Sequence, residues 1–494
     1  MSRQPALLGI DLGTSSVKAA LVDLEGHLLT AVSVGYPVAH PHPGWAETDP
    51  ALWWAAICEA VRQASEAAVA EPVAIGLSGQ MHGLVATDAE GAPVRPALLW
   101  SDARAVEELA AYRHLPVEVR ARLLNPLSPG MAGPLLAWLA RHEPSSFAAT
   151  RWALQPKDWV RARLTGEFRA EPSDASATLM YDIPGDRWDA DVVAALGLDV
   201  GLLAPLLPSA GSHAGSLQPQ AARELGLQPG LPVAAGAADT AAAALGSGLV
   251  QPGTAALTIG SGVQLVMPVA ELAAHPDDSP VTHLYRAATD AGWYAMAAGL
   301  NAGLALNWVR TVLDVSWPEI YAAAETPPRS SDPMFLPHLS GERTPYLDPD
   351  MRGGWVGLAP QHDRTALLRA ALEGVALAAR DALDSLRDTN LGASPLTDLR
   401  LAGGGSTSGP WRQLLADALG CTLRPVDVAA ASGRGAALLG ARAAGLLDEP
   451  ALLGLLPPVG HPAAAPRAAA TTFYAERHAL FRRRVDALRR HEKQ

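Results

Sequence analysis

Two aspartates in glycine-rich surroundings are the residues of this sequence best suited to chemistry on phosphates. The first, Asp11, ends an apolar run and precedes the turn Gly13-Thr14-Ser15. The backbone amides of such a turn can hold phosphate oxygens while the carboxylate binds a hydrated Mg²⁺. A plain β-hairpin with an Asx-type turn is the alternative that this stretch alone leaves open.

The second aspartate, Asp239, stands alone among small apolar residues in PVAAGAADTA. It falls where a predicted strand meets a predicted helix, so one interpretation is an N-cap for a helix that begins at Thr240. A carboxylate fixed at a strand end above a cleft can also take a proton from a substrate hydroxyl. The two roles are compatible, and we expect Asp239 to be a general base.

Two further glycine-rich loops lie in the second half of the chain. TIGSG, residues 258–262, repeats the strand-turn-strand pattern around Asp11, so two facing hairpins can grip one polyphosphate. GGGS, residues 403–406, follows an apolar strand and precedes a helix, where glycine permits close backbone contact with a nucleoside or an α-phosphate. A simple turn is the alternative for this third loop.

A polar cluster follows another predicted strand. In SGQMHG, residues 78–83, the side chains of Gln80, Met81 and His82 are placed where a buried strand ends. A strand end of this kind delivers polar groups to a cleft. Taken alone, His82 is more often a hydrogen-bonded structural residue than a ligand contact.

Several common sites are excluded by inspection. None of the three lysines lies in a GxxxxGK[ST] pattern, no GxGxxG opens a helix after a strand, and no HExxH or cysteine cluster indicates zinc. The net charge of −12 argues against a nucleic-acid or anionic membrane surface.

The elements that must position these residues follow from turn chemistry and periodicity. Residues 6–36 predict a three-strand meander, Asp49–Ala70 predict a capped helix, and the run at 73–79 predicts a returning strand. Residues 253–269 predict a second hairpin like the first. A long amphipathic helix follows Asp363, with a buried stripe at Leu368, Leu372, Val375, Ala379, Leu383 and Leu386.

At 494 residues, the chain exceeds what one hydrophobic core usually supports. The two similar openings predict two related segments, 1–245 and 246–494, joined by a glycine-rich hinge near residues 245–253. The N-terminal apolar run is too short for a signal peptide, and the two cysteines are far apart. We therefore expect a cytoplasmic protein without a membrane or nucleic-acid partner.

Eight motifs occur in one order across essentially the whole chain. They are DLGTSSVKAALVD, GWAETDP, SGQMHG, LLWSDAR, PKDWVRARLTG, the lone Asp239, FLPHLSGERTPYLDP and LAGGGSTS. Together they resemble the FGGY carbohydrate kinases. Within that family Met81-His82 is similar to the pair of the xylulokinases, whereas an Arg-Glu pair is expected there in glycerol kinases.

The resemblance implies two actin-like (ribonuclease H-like) α/β domains with the active site in the cleft between them. It implies ATP and Mg²⁺ as cofactors and transfer of a phosphoryl group to the terminal hydroxyl of a ketopentose, D-xylulose. Asp239 then matches the general base and Asp11 the metal-binding aspartate. The remaining implied contacts are Met81, His82, Thr240, Trp100 and Asp102 for the sugar and Gly13, Thr14, Ser15, Gly260, Ser261, Gly404 and Gly405 for ATP.

Two alternatives remain at this point. Thr240 stands where xylulokinases usually carry Asn, which favours a kinase for another ketose or polyol such as ribulose. A non-catalytic actin-like ATP-binding regulator would have no sugar substrate. By family analogy, a homodimer is possible.

Overall fold

The computed structural model describes residues 4–272, 279–389, 396–403 and 407–492. Its strands are β1 Gln4–Leu12, β2 Ser16–Val22, β3 Leu28–Gly35, β4 Glu47–Thr48, β5 Ala70–Gly79, β6 Val85–Thr87, β7 Ala97–Leu98, β8 Trp152–Leu154, β9 Tyr181–Asp182, β10 Arg187–Trp188, β11 His213–Ser216, β12 Pro232–Ala234, β13 Ala237–Ala238, β14 Ala255–Ile259, β15 Val263–Val269, β16 His283–Arg286, β17 Trp293–Gly299, β18 Met334–Leu336, β19 Gly354–Val356, β20 Asp398–Ala402 and β21 Thr422–Pro425.

The helices connect and cover these strands. They are α1 Pro50–Ala67, α2 Leu109–Arg113, α3 Val117–Arg120, α4 Ala132–His142, α5 Pro144–Ala149, α6 Pro156–Thr165, α7 Pro172–Ala175, α8 Ala190–Ala195, α9 Pro219–Leu225, α10 Asp239–Gly246, α11 Gly303–Val312, α12 Trp317–Ala322, α13 Arg364–Asp388, α14 Gly409–Leu419, α15 Ala431–Ala443, α16 Glu449–Gly454 and α17 Ala468–Glu492.

The first large sheet has the strand order β11-β12-β5-β1-β2-β3, with β13 paired to β5. The predicted meander is confirmed, because β1, β2 and β3 pair antiparallel in sequence. Strands β5 and β13 run parallel to β1 on its other side. The carboxyl ends of β1, β5 and β13 therefore meet at one edge of the sheet.

The second large sheet has the order β16-β17-β15-β14-β20-β21 and repeats this plan. The hairpin β14-β15 corresponds to β1-β2, and β20 runs parallel to β14 as β5 does to β1. The pairing of Thr258 with Ala402 brings the second glycine-rich loop next to Gly403, the one residue of the third loop that the structure describes. The two similar openings in the sequence thus correspond to two similar sheets.

The predicted helices are confirmed at α1 and α13. Asp49 caps α1 by accepting from Ala51 N (2.9 Å), and Pro50 is its first residue. Asp363 caps α13 by accepting from Ala366 N (2.9 Å). All six residues of the predicted α13 stripe are buried.

One helix from the second half of the sequence belongs with the first sheet. Helix α15 packs on β1, β5 and α10. At Gly76 of β5 the backbones themselves are in contact, since a Cβ there would overlap the carbonyl of Ala436. The chain thus returns to the first sheet after β21, and the division into segments 1–245 and 246–494 stays a prediction.

Candidate active site

The sheet edge at β1, β5 and β13 gathers the three groups that the sequence singled out. Asp11 lies on β1 opposite Ser78 of β5, and Ala238 of β13 pairs with Gly79. Asp239 follows β13 directly, while Gln80, Met81 and His82 follow β5. Parallel pairing, which aligns carboxyl ends, is the reason that residues far apart in sequence share this site.

Asp11 is a buried carboxylate with 9% of its surface exposed. Its Oδ1 accepts a hydrogen bond from Ser78 Oγ at 3.0 Å. Burial raises the pKa of Asp11, although the Ser78 bond and the charge of Lys18 act in the opposite direction. The hydrogen bond and the nearby positive charge therefore do not fully offset the cost of burying the ionised carboxylate.

These properties of Asp11 fit a hard cation. Mg²⁺ is usually held by one or two carboxylates together with substrate phosphates, rather than by a full cage of protein ligands. No group of three or more His, Cys, Asp or Glu side chains suited to a metal ion occurs among the described residues. Asp11 is thus the residue that would hold Mg²⁺.

Asp239 is the first residue of α10, whose N-cap is Ala238 without a side-chain capping bond. The alternative interpretation of Asp239 as the N-cap is therefore wrong. Its Oδ1 accepts from Thr240 N at 2.6 Å and from Thr240 Oγ1 at 3.2 Å. Burial and then the nearby charge of Asp11 raise the pKa of Asp239 to about 7, against the effect of the two Thr240 bonds. A carboxylate with a pKa near neutrality is suited to general-base catalysis.

A cavity of about 370 Å³ separates the two halves at this edge. Asp11, Gly13, Asp239 and Thr240 line it on one side. The other side includes Thr258, the first residue of the predicted second glycine-rich loop, and two polar residues that sequence reasoning missed, Gln264 and Arg400. Gln264 follows the second loop closely and Arg400 precedes the third, so their proximity to the loops was the available signal.

The loop after β1 is held by side chains from other elements. The carbonyl of Gly13 accepts from Tyr36 Oη and from Gln80 Nε2, the latter at 3.3 Å. Thr14 Oγ1 accepts from Trp100 Nε1 at 2.9 Å, and Ser15 is exposed. Gln80 thus fixes the loop rather than projecting freely into the cleft.

The loop after β14 is anchored to the start of α11. Gly303 N donates to the carbonyl of Gly260 and Leu304 N donates to that of Ser261, both at 3.0 Å. Gly260 and Ser261 are exposed and do not line the 370 Å³ cavity, although Thr258 of the same turn does. Gly404 and Gly405 lie outside the described residues.

His82, the third residue after the end of β5, occupies a left-handed backbone conformation (φ 74°). Its Nδ1 donates to the carbonyl of Ala177 at 2.7 Å. Burial lowers the pKa of His82 to about 4; the Ala177 bond opposes this shift, and the charge of Arg343 adds to it. The ring is therefore neutral, and Nε2 is left as a hydrogen-bond acceptor, a chemistry that suits a sugar hydroxyl.

The second half of the chain supplies a wall beside Met81 and His82 that sequence reasoning missed. Tyr294 donates to Met81 Sδ (3.6 Å), and the ring of Tyr285 lies 5.8 Å from that of His82. Tyr285 Oη and His283 Nδ1 share a hydrogen bond of 2.7 Å. The pocket around Met81 and His82 is therefore closed by residues of β16 and β17.

Asp102, which the sequence predicts to contact the sugar, is engaged by other groups of the protein. Its carboxylate is fully buried, pairs with Arg104 at 2.7 Å and accepts from Ala46 N at 2.6 Å. These bonds give Asp102 the role of fixing the turn after Trp100. Trp100 itself bonds Thr14, which connects the predicted sugar side to the first phosphate loop.

Comparison with known proteins identifies the family. The model of the FGGY family of carbohydrate kinases, N-terminal domain, matches residues 6–246, and the model of its C-terminal domain matches residues 255–444. The chain belongs to the FGGY family of carbohydrate kinases. As a member of this family, it is a sugar phosphotransferase, which confirms the predicted enzyme class.

Individual FGGY kinases are similar over nearly the whole chain. Xylulose kinase of Escherichia coli (strain K12) is 36% identical over 456 residues, which are 91% of this chain and 92% of that protein. The crystal structure of a xyloylose kinase from Brucella ovis matches with a TM-score of 0.90 at 36% identity, over 98% of this chain and 99% of that one. The predicted resemblance and the actin-like α/β architecture are thereby confirmed.

The FGGY fold alone does not select a sugar. A gluconate kinase from Lactobacillus acidophilus matches with a TM-score of 0.90 at 23% identity, covering 98% of each chain. A kinase named for a different substrate thus shares the architecture.

Across the described ranges, no helix is long and apolar enough to cross a membrane.

Proposed function

We propose that this FGGY kinase transfers the γ-phosphoryl group of ATP to the terminal hydroxyl of D-xylulose, forming D-xylulose 5-phosphate in the cytoplasm. The observation that carries the proposal is Asp239. Its pKa of about 7 and its position on the cavity between the two halves suit a general base that takes a proton from a sugar hydroxyl. The similarity to xylulose kinases and the Met81-His82 pair support the choice of sugar.

The proposed chemistry assigns one task to each group. Asp239 accepts the proton of the attacking hydroxyl, while Nε2 of His82 accepts a hydrogen bond from another sugar hydroxyl. Asp11 would hold Mg²⁺, which would supply positive charge to neutralise the transferring phosphates. Thr14, Ser15, Gly260 and Ser261 bind the phosphates and Gly404-Gly405 the nucleoside.

The two proposed segments divide this work. Segment 1–245 holds the sugar, the first phosphate loop and the base, and segment 246–494 binds ATP. Closure of the halves excludes water that would otherwise compete with the sugar hydroxyl. A homodimer is compatible with these roles but is not needed for them.

A kinase for another ketose such as ribulose is the second candidate, and Thr240 favours it. The Thr240 hydroxyl donates to Asp239 Oδ1, so it is a shorter and already engaged group where xylulokinases usually present an amide. The deciding measurement is kcat/KM for D-xylulose, D-ribulose, L-ribulose and glycerol, followed as sugar-dependent ADP release. Preference for a ribulose would overturn the proposed substrate, and ADP release independent of every sugar would overturn the proposed reaction.

Asp239→Asn tests the base. Loss of a general base costs ~10²–10⁴-fold in rate, so the variant should lose kcat by about that factor and still bind ATP. Asp314→Asn is the matched control, since Asp314 lies on the turn after α11 with a φ of 48° that asparagine tolerates. Near-full kcat in Asp239→Asn would remove Asp239 from this role.

A further inference from the structure

Arg343, in the segment between β18 and β19, carries a guanidinium group that has no hydrogen-bond or ion-pair partner among the described residues. Among the described residues it forms no ion pair and no side-chain hydrogen bond, although the residue is at least half-buried. Other buried arginines here are compensated: Arg434 donates to three carbonyls and Arg161 pairs with Asp158. A desolvated cation without a partner is costly, so this group is suited to a ligand.

The backbone of Arg343 is held rigidly in place. Its N–H donates to Glu342 Oε1 at 2.9 Å. The same carboxylate accepts from Leu300 N at 2.7 Å and from His338 Nδ1 at 2.9 Å. The start of the Arg343 side chain is therefore fixed before any ligand binds, which lowers the entropy cost of using it.

The side chain of Arg343 reaches across the cleft to the first half. Its Cζ lies 5.4 Å from the centre of the Trp100 ring, a cation–π distance. Trp100 in turn donates to Thr14 of the first phosphate loop. The charge of Arg343 also lowers the pKa of His82 and of His283, which places the guanidinium in their neighbourhood.

We propose that Arg343 is a sugar-binding residue of this kinase that the second half of the chain supplies. This inference rests on the proposed function. The guanidinium N–H groups donate to oxygens of the ketose, while the face of Trp100 and Nε2 of His82 bound the same space. A polyhydroxy ligand fits these neighbours because they offer a donor, a neutral acceptor and an aromatic face.

One consequence concerns specificity. Because Arg343 and the wall formed by His283 and Tyr285 come from the second half, the sugar contacts both halves at once. Only a ketose whose oxygens reach Arg343 draws the halves together over Asp239. Arg343 therefore contributes to selection among ketoses as well as to affinity.

The test uses Arg343→Met, which keeps the aliphatic stem and removes the charge, and Arg343→Lys, which keeps the charge without the planar fork. Arg310→Met is the matched control, because Arg310 also lies over a tryptophan, Trp317 at 6.0 Å, on the surface of α11. The kinetic measurements are kcat, KM for the sugar and KM for ATP. Calorimetry gives the Kd of a ketose analogue that lacks the hydroxyl to which the phosphoryl group is transferred.

Loss of a hydrogen bond from a charged group should raise sugar KM and the analogue Kd about 10- to 100-fold in Arg343→Met, with a smaller rise in Arg343→Lys. KM for ATP and sugar-independent ATP hydrolysis should stay unchanged in Arg343→Met, and Tm should not fall, because the removed charge has no hydrogen-bond or ion-pair partner. All values should stay unchanged in Arg310→Met. Unchanged sugar KM and Kd would overturn the inference. A fall in sugar-independent ATP hydrolysis with intact analogue binding would also overturn it and assign Arg343 to the phosphates.

The proposed function and this inference can fail separately. Wild-type turnover across the ketose panel reports on the substrate. The Arg343 comparison is then made on the ketose that is used best.

Discussion

Replacing Thr240 with valine should move the pH dependence of the enzyme to higher pH. In the structure, Asp239 Oδ1 accepts from both the amide and the hydroxyl of Thr240, and both bonds lower the pKa of Asp239. Burial and Asp11 act in the opposite direction and raise this pKa to about 7. Valine keeps the amide and the shape of the side chain but removes the hydroxyl, so the pKa of Asp239 should rise further.

The size of the shift follows from the geometry. A hydrogen bond to a charged group is worth about 1.5–3 kcal/mol, and one pKa unit corresponds to about 1.36 kcal/mol. The Thr240 Oγ1 to Asp239 Oδ1 distance of 3.2 Å is long for a hydroxyl donor, so the lower end applies and the expected rise is about one unit. At pH 7 the ionised fraction of Asp239 would then fall from about one-half to about one-tenth, a loss of about fivefold in kcat/KM.

The assay is kcat/KM for the sugar from about pH 6 to 9, with ADP release as the readout. A direct effect of valine on sugar affinity would lower the whole profile, whereas the pKa effect moves its acidic limb, so the two are separable. Thr240→Ser keeps the hydroxyl and should leave the limb in place. A limb that stays or moves to lower pH in Thr240→Val would refute the hydrogen-bond account of the Asp239 pKa.

Three further predictions concern stability. Because the pKa of Asp239 is raised, the folded state keeps a proton that the unfolded state has lost between about pH 4 and 7, and stability falls as pH rises through that window. Asp239→Asn should therefore have a higher Tm than wild type at about pH 8, and the difference should vanish near pH 4. Gly76→Ala should destabilise by about 3 kcal/mol or more, measured by denaturant unfolding, because its Cβ would overlap the Ala436 carbonyl of α15. Lys157→Met should cost about 3–5 kcal/mol by the same measurement, because its fully buried ammonium pairs with Asp158 at 2.5 Å and Glu171 at 3.3 Å.

Controls for these variants come from the same chain. Gly454→Ala adds a Cβ with no atom within 4 Å and should leave stability unchanged. A Gly76→Ala protein as stable as wild type would contradict the close packing of β5 on α15. Equal Tm values of Asp239→Asn and wild type at every pH would contradict the raised pKa, and a fully stable Lys157→Met would show that the buried carboxyl groups do not need the ammonium.

The parts of the site that lie at strand ends could be predicted from the sequence. Asp11 and Asp239 each follow a short apolar run and precede a turn or helix, which is a local signal. Parallel pairing of β1, β5 and β13 then brings them together without further information. The same local reasoning failed for the capping role of Asp239, because whether a helix begins one residue earlier depends on φ and ψ rather than on residue type.

The parts that depend on contact between the two halves could not be predicted. All four residues of β16 are buried, so its sequence does not indicate that His283 and Tyr285 face His82. Arg343 appears in the sequence as one basic residue in a polar turn, and only the structure reveals that its guanidinium has no hydrogen-bond or ion-pair partner among the described residues. For Asp102 the motif was visible, but its partner Arg104, two residues away, satisfies the carboxylate.

The small residues of α15 attach α10 closely to the first sheet. A Cβ on Gly435 of α15 would overlap the Ala242 carbonyl of α10. A Cβ on Gly76 of β5 would overlap the Ala436 carbonyl of α15, so α10, α15 and β5 are in direct backbone contact. Such contacts oppose any displacement of α10 from α15 and β5, because separating the backbones would create empty space that neighbouring side chains cannot fill. Asp239, the first residue of α10, is therefore fixed to the first sheet together with Asp11 and His82. If the cleft closes on a ligand, Arg343, Tyr285 and the loop at Gly260 approach a stationary base.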